Sequence, residues 1–242
     1  MKLLALSVLC LAGASAFAAP INQVTYASLT GTEIVDFDDI AGGAAPGTNY
    51  DAVFVSHGVG FGERFSGQTL TAVGDFDKLG GSPTGPLNLL AGAAGHNLNV
   101  FLFAGSNVLT GLGTTGFPNN SAIGEGAFAL TFSSDQSQFG FQLVGGDGGN
   151  AFIDFFREDG SLIDSITVGS LTNAFYGFSR QGGVKDIRGI SIWNDDGGGI
   201  GFDNLKHDVK SVVGNVPEPS TYAMMFAGLA AVGMIARRRR LG

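Results

Sequence analysis

Between Thr32 and Val209 short apolar runs alternate with clusters of Gly, Asn, Asp and Ser, and no long stretch repeats its apolar residues at the 3.6-residue helical period. Runs of this length, bounded by turn formers, read as β-strands. The pattern predicts strands over Thr32–Phe37, Ala52–Val55, Asn99–Phe103, Gly126–Phe132, Gln138–Val144 and Ala151–Arg157. Further strands are predicted over Leu162–Val168, Ala174–Ser179, Asp186–Trp193 and Gly201–Val209. The clearest local unit is a hairpin over Ala151–Val168, in which Glu158-Asp159-Gly160-Ser161 forms the turn and Gly160 supplies a positive φ. Turn signals fall at irregular intervals, which argues against a solenoid of fixed period. The expected architecture is all-β, a jelly-roll-type β-sandwich over residues 19–213.

The two ends follow a different pattern. Lys2 precedes an apolar stretch from Leu3 to Leu11, and Ala16-Phe17-Ala18 is a small-x-small site of the kind signal peptidase cuts. Residues 1–18 therefore read as a secretory signal peptide, with Ala16 and Ala18 marking the cleavage site. The cut removes Cys10, the only cysteine, so the mature body has neither disulfides nor a thiol nucleophile. Such a body must be held by its core, with or without a metal.

Residues 214–242 carry three consecutive signals: Val216-Pro217-Glu218-Pro219-Ser220-Thr221, an apolar segment Tyr222–Ala236 expected as a short helix, and Arg237, Arg238, Arg239 and Arg240. As a helix the apolar segment spans about 22 Å, short of a hydrocarbon core of roughly 30 Å. It suits a transient stay in the inner membrane, with the arginines cytoplasmic and everything before Val216 on the far side. This tripartite tail resembles the PEP-CTERM sorting signal of Gram-negative bacteria. The resemblance implies recognition by an exosortase, cleavage near Pro217-Glu218-Pro219, and a destination at the cell surface or in the extracellular matrix. In that family such proteins accompany exopolysaccharide and biofilm production. The tail is attached to very different bodies, so it specifies an address and not an activity.

Removing both ends changes the charge. The whole chain carries a formal −8, but Ala19–Val216 keeps eight basic against twenty acidic residues, near −12. Nucleic acid and anionic membrane are poor partners for such a surface, whereas neutral glycans, cations and basic proteins are compatible with it. Glycine accounts for 40 residues without a G-X-Y period, which excludes collagen and favours a loop-rich fold. Ten phenylalanines between Phe101 and Phe156 suggest a core packed between two sheets.

Val35-Asp36-Phe37-Asp38-Asp39-Ile40, the Gly-rich segment Gly58–Phe65 and the closing Gly201-Phe202-Asp203-Asn204-Leu205 resemble bacterial jelly-roll domains related to lectins and carbohydrate-binding modules. If the first and last strands are neighbours, Asp36, Asp38 and Asp39 approach Asp203, Asp195 and Asp196, and so many hard oxygen donors would suit a structural Ca²⁺. The opposing reading makes these aspartates turn formers with solvated side chains. Asp75 and Asp77 form a second, weaker acidic pair. Gly111-Leu112-Gly113-Thr114-Thr115-Gly116 has the letters of a dinucleotide fingerprint, but Phe117-Pro118-Asn119-Asn120 stands where a helix must begin, so a loop is expected. Gly198–Lys206 fits one calcium β-roll nonapeptide, and a single copy has nothing to stack on.

Catalytic motifs are scarce. His57, His96 and His207 stand alone in sequence, there is no G-x-S-x-G elbow, and no glutamate has the neighbours of a paired-carboxylate glycanase; Glu125 between two glycines is the acid to test first. Glycan contact by ring stacking would draw on Trp193, Tyr50 and Tyr176. Trp193, the only tryptophan, also reads as a core residue, and the abundance of Phe favours that. Three functions fit the sequence: a non-catalytic surface or matrix protein, a carbohydrate-binding lectin-like module, and a glycan hydrolase.

Overall fold

The computed structural model describes residues 20–208. The predicted signal peptide with Ala16 and Ala18, and the tail from Val216 to Arg240, lie outside the described residues. Among these the fold is all-β, with only three single-turn 3-10 segments at Tyr26–Ser28, Asn120–Ala122 and Gln181–Gly183.

The strands in chain order are β1 (Ile21–Val24), β2 (Glu33–Val35), β3 (Thr48–Tyr50), β4 (Phe54–Ser56), β5 (Val59–Gly62) and β6 (Arg64–Phe65). Then come β7 (Thr69–Val73), β8 (Phe76–Gly80), β9 (Leu89–Leu90), β10 (Leu98–Phe103), β11 (Ser106–Leu112) and β12 (Ile123–Gly126). The last are β13 (Phe128–Gln136), β14 (Gln138–Gly145), β15 (Asn150–Phe156), β16 (Leu162–Gly169), β17 (Ala174–Arg180), β18 (Ile187–Asn194) and β19 (Ile200–His207). A nine-stranded sheet has the order β1-β17-β14-β19-β11-β10-β3, with β12 beside β11 and β2 beside β19. A six-stranded sheet has the order β16-β15-β18-β13-β5-β4, and β6-β9 and β7-β8 form two small ribbons.

Alternation along the strands decides which face is buried. On β14, Phe139, Phe141 and Leu143 are buried; on β15, Ile153 and Phe155; on β18, Ile190 and Ile192. These residues form one apolar cluster drawn from both large sheets. Edge-to-face or tilted rings join the sheets directly: Phe128 meets Phe202 at 4.7 Å and Phe155 meets Phe178 at 5.6 Å between centroids. The two large sheets therefore face each other across a core rich in phenylalanine, as the composition suggested.

The predicted hairpin is β15–β16. Gly160 takes φ +80°, its N–H donates to the Arg157 carbonyl at 3.0 Å, and the Ser161 N–H donates to the Asp159 side chain at 2.9 Å. The first predicted strand is shorter than expected, because Phe37 leaves β2 with φ +58° while its ring stays in the core. No α-helix follows Gly116; the fingerprint letters belong to the end of β11 and a turn. The nonapeptide Gly198–Lys206 runs into β19, which pairs with β14 and β11 in the nine-stranded sheet.

Candidate binding cleft

The β7–β8 ribbon lies against the outer side of the six-stranded sheet. Gln68, just before β7, accepts the Phe65 N–H at 3.0 Å and donates to the Ser191 hydroxyl on β18 at 3.0 Å. Along β8 the alternation buries Asp77 and Leu79, while Lys78 and Gly80 are exposed and Phe76 is half-buried. A cleft of about 550 Å³ opens where this ribbon meets β6 and the loop before β10, lined by Glu63, Arg64, Gln68, Thr69, Asp77 and His96 among others.

Glu63 sits between β5 and β6 and is only 3 % exposed. Burial pushes its carboxyl above the usual range, the Arg64 guanidinium paired with it opposes that, and Asp77 adds to the upward push. A side chain at position 92 would collide with the Glu63 carboxylate, so Gly92 leaves room for the acid. Asp77 is 9 % exposed, and among the described residues its carboxylate has no hydrogen-bond donor. Burial raises its pKa, and His96 partly counters this. The His96 ring packs on Gly116, where a Cβ would meet it. Two desolvated carboxyls, a guanidinium and an imidazole thus converge on an open cleft, and all but the guanidinium can accept hydrogen bonds.

The aspartates weighed as Ca²⁺ ligands divide between two places. As anticipated, β2 pairs with β19, Val35 opposite Leu205, and this brings Asp36 and Asp38 into the field of Asp203. Asp203 accepts from the Ser106 hydroxyl at 2.9 Å and from the Asn204 N–H at 2.6 Å, and burial raises its pKa. Asp195 and Asp196 belong instead to the loop between β18 and β19. There Asp195 accepts the Asn150 N–H at 2.7 Å, and Asp196 gathers N–H groups from Asp147, Gly149 and Gly198. Among the described residues no three acidic or histidine side chains stand together as a metal-holding group. These five aspartates thus lie in two places, each accepting hydrogen bonds from its own surroundings.

The three aromatics singled out for glycan contact do not share a platform. Tyr50 is on β3 at one edge of the nine-stranded sheet, with its hydroxyl donating to the Ala41 carbonyl at 2.6 Å. Tyr176 is on β17, toward the opposite edge, with its ring 5.6 Å from Phe141. Trp193 on β18 belongs to the other sheet. Contrary to the core expectation, it is half-buried on the outer face, stacked on Phe152 at 3.9 Å with 9° between planes and covered by Lys78 at 5.2 Å.

Glu125 on β12 is 7 % exposed, and its Oε2 has no partner among the described residues. Burial and then the charges of Asp75, Asp196 and Asp147 push it up to about 7. The cleft acids were only partly visible in the sequence: Asp77 stood out as one of a weak pair, while Glu63 and His96 carry no local motif that ties them to it.

Comparison with protein families matches residues 215–240 to the PEP-CTERM protein-sorting motif. That match marks the chain as a secreted protein sorted by an exosortase, with a cell-surface or extracellular destination. Comparison with curated proteins and with solved structures found no match.

Proposed function

We propose that this chain is a non-catalytic protein of the cell surface or extracellular matrix, working alongside an exopolysaccharide on a jelly-roll body. The sorting motif at residues 215–240 carries this reading, because a dedicated export route selects proteins that act outside the cell. The path from β13 to β19, which passes repeatedly between two facing sheets, supports the jelly roll. Signal peptidase removes residues 1–18, exosortase cuts near Pro217-Glu218-Pro219, and the Arg237–Arg240 cluster holds the precursor in the inner membrane only until then. The acidic body leaves nucleic acid aside as a partner.

Replacing Pro217, Glu218 and Pro219 by alanine is expected to leave an uncleaved, membrane-retained precursor, seen as a larger band in the membrane fraction. Unchanged cleavage and release of that variant would remove the basis of the reading. A second reading, a lectin-like module, is favoured by the polar cleft beside Asp77, since sugar hydroxyls and amines supply the donors that the Asp77 carboxylate lacks among the described residues.

A further inference from the structure

The Glu63 carboxylate already faces the Arg64 guanidinium. Asp77 is different: it is nine-tenths buried, lines the open cleft, and has no donor among the described residues. A desolvated carboxylate without donors is costly, and a ligand that brings an ammonium or hydroxyl repays that cost. The volume of about 550 Å³ falls within the range of small-ligand sites and suits one or two sugar rings. Thr69 offers a further polar atom at the wall, and Leu70 an apolar one. Among the described residues the cleft lining holds no Trp, Tyr or Phe, so charge and hydrogen bonding rather than stacking on such a ring supply affinity. A body near −12 also attracts a polycation over distance.

We propose that the cleft between Glu63 and Asp77 binds a glycan bearing free amino groups, with a sugar ammonium paired to the Asp77 carboxylate. The glycan nature of the partner rests on the matrix reading above; the demand for a cationic donor rests on Asp77 alone. The sugar ring lies along Leu70 and Thr69, and its hydroxyls donate to the Glu63 oxygen not used by Arg64.

The test is calorimetric titration of the processed protein, recovered from expressing cells, with glucosamine oligomers, their fully N-acetylated counterparts, spermidine and CaCl₂. Binding is expected for glucosamine oligomers, at least tenfold weaker for the acetylated ones, and weakened by added salt that screens the pair. Asp77→Asn is expected to cost tenfold or more in affinity with the fold retained. Thr69→Trp, placed at the exposed mouth of the cleft, serves as a second blocking variant that leaves the core untouched. Equal affinity for acetylated oligomers, unchanged binding by both variants, displacement of the oligomer by calcium, tighter binding of spermidine than of the sugar, or release of reducing ends would each overturn the proposal. Absence of binding by the unaltered protein with normal tail processing rejects the cleft assignment alone, whereas normal binding with processing unaffected by the motif replacement rejects the export reading alone.

Discussion

Asp196 and Asp77 are both buried aspartates, at 0 % and 9 % exposure, and the protein treats them in opposite ways. Around Asp196 the loops fold so that the N–H of Asp147 reaches both oxygens at 3.0 Å, with Gly149 at 2.8 Å and Gly198 at 3.1 Å. Around Asp77 no donor is supplied among the described residues. Burial by itself therefore does not distinguish a structural acid from a binding one; the provision of donors does. Asp196 joins the loop between β14 and β15 to the loop between β18 and β19, whereas Asp77 faces the open cleft without a donor among the described residues.

The largest effect that can break this contrast is at Asp196. Asp196→Ala should cost roughly 3–5 kcal/mol, because it strands several partly buried N–H groups at once, as urea unfolding would show. A loss below about 1 kcal/mol would mean that the loops hold themselves.

Glu125 extends the contrast to an acid with neighbouring charges instead of donors. Its folded pKa of about 7 lies above the ordinary glutamate value, so the folded state binds the extra proton and stability falls as pH rises from the ordinary value through about 7. Glu125→Gln should flatten that fall and gain about 2 kcal/mol at alkaline pH, after allowance for partial screening. Melting curves across that pH window check it; a variant that follows the wild-type slope would reject the assignment.

Trp193 gives the apolar counterpart to a core ring such as Phe128. Losing the stack on Phe152 from a half-buried position should cost about 1–2 kcal/mol, well under the roughly 3–5 kcal/mol of a core aromatic. Equilibrium denaturation of Trp193→Ala and Phe128→Ala side by side measures the gap.

The smallest effect is expected at Asp77 itself. Its raised pKa means that ionisation above the usual carboxylate range weakens the fold, so Asp77→Asn should be neutral or stabilising by up to about 1 kcal/mol near neutral pH. A clearly destabilised variant would place Asp77 with Asp196 among the structural acids.

From Gln138 onward the strands were legible to within a residue or two, because alternating burial and clear turn formers punctuate the chain. The hairpin β10–β11 shows why other strands were not. It turns on Ala104-Gly105, with φ +51° and +94°, and Ala carries no turn signal, so β11 was not anticipated. The ribbon β7–β8 was missed for a related reason: most of β7 is exposed, and exposed strands show no apolar alternation. The cleft inherits this difficulty. Glu63, Asp77 and His96 come from three separate segments, and only the folding of that unforeseen ribbon onto the sheet brings them together. The neighbouring of Asp36 and Asp38 with Asp203, by contrast, followed from a single guess about the first and last strands.

The last strand has a mechanical meaning. β19 is interior to its sheet, hydrogen-bonded to β14 on one side and to β11 and β2 on the other. Asp208 immediately after it is clamped by the Ser137 N–H at 2.6 Å and the Gln138 amide at 2.5 Å. On the export route proposed above, a pull through the C-terminal tail would enter the described body at Asp208. Tension directed along β19 would load its ladders in shear, so that many hydrogen bonds must fail together rather than peel one by one, and the body would stay folded under a pull from that end.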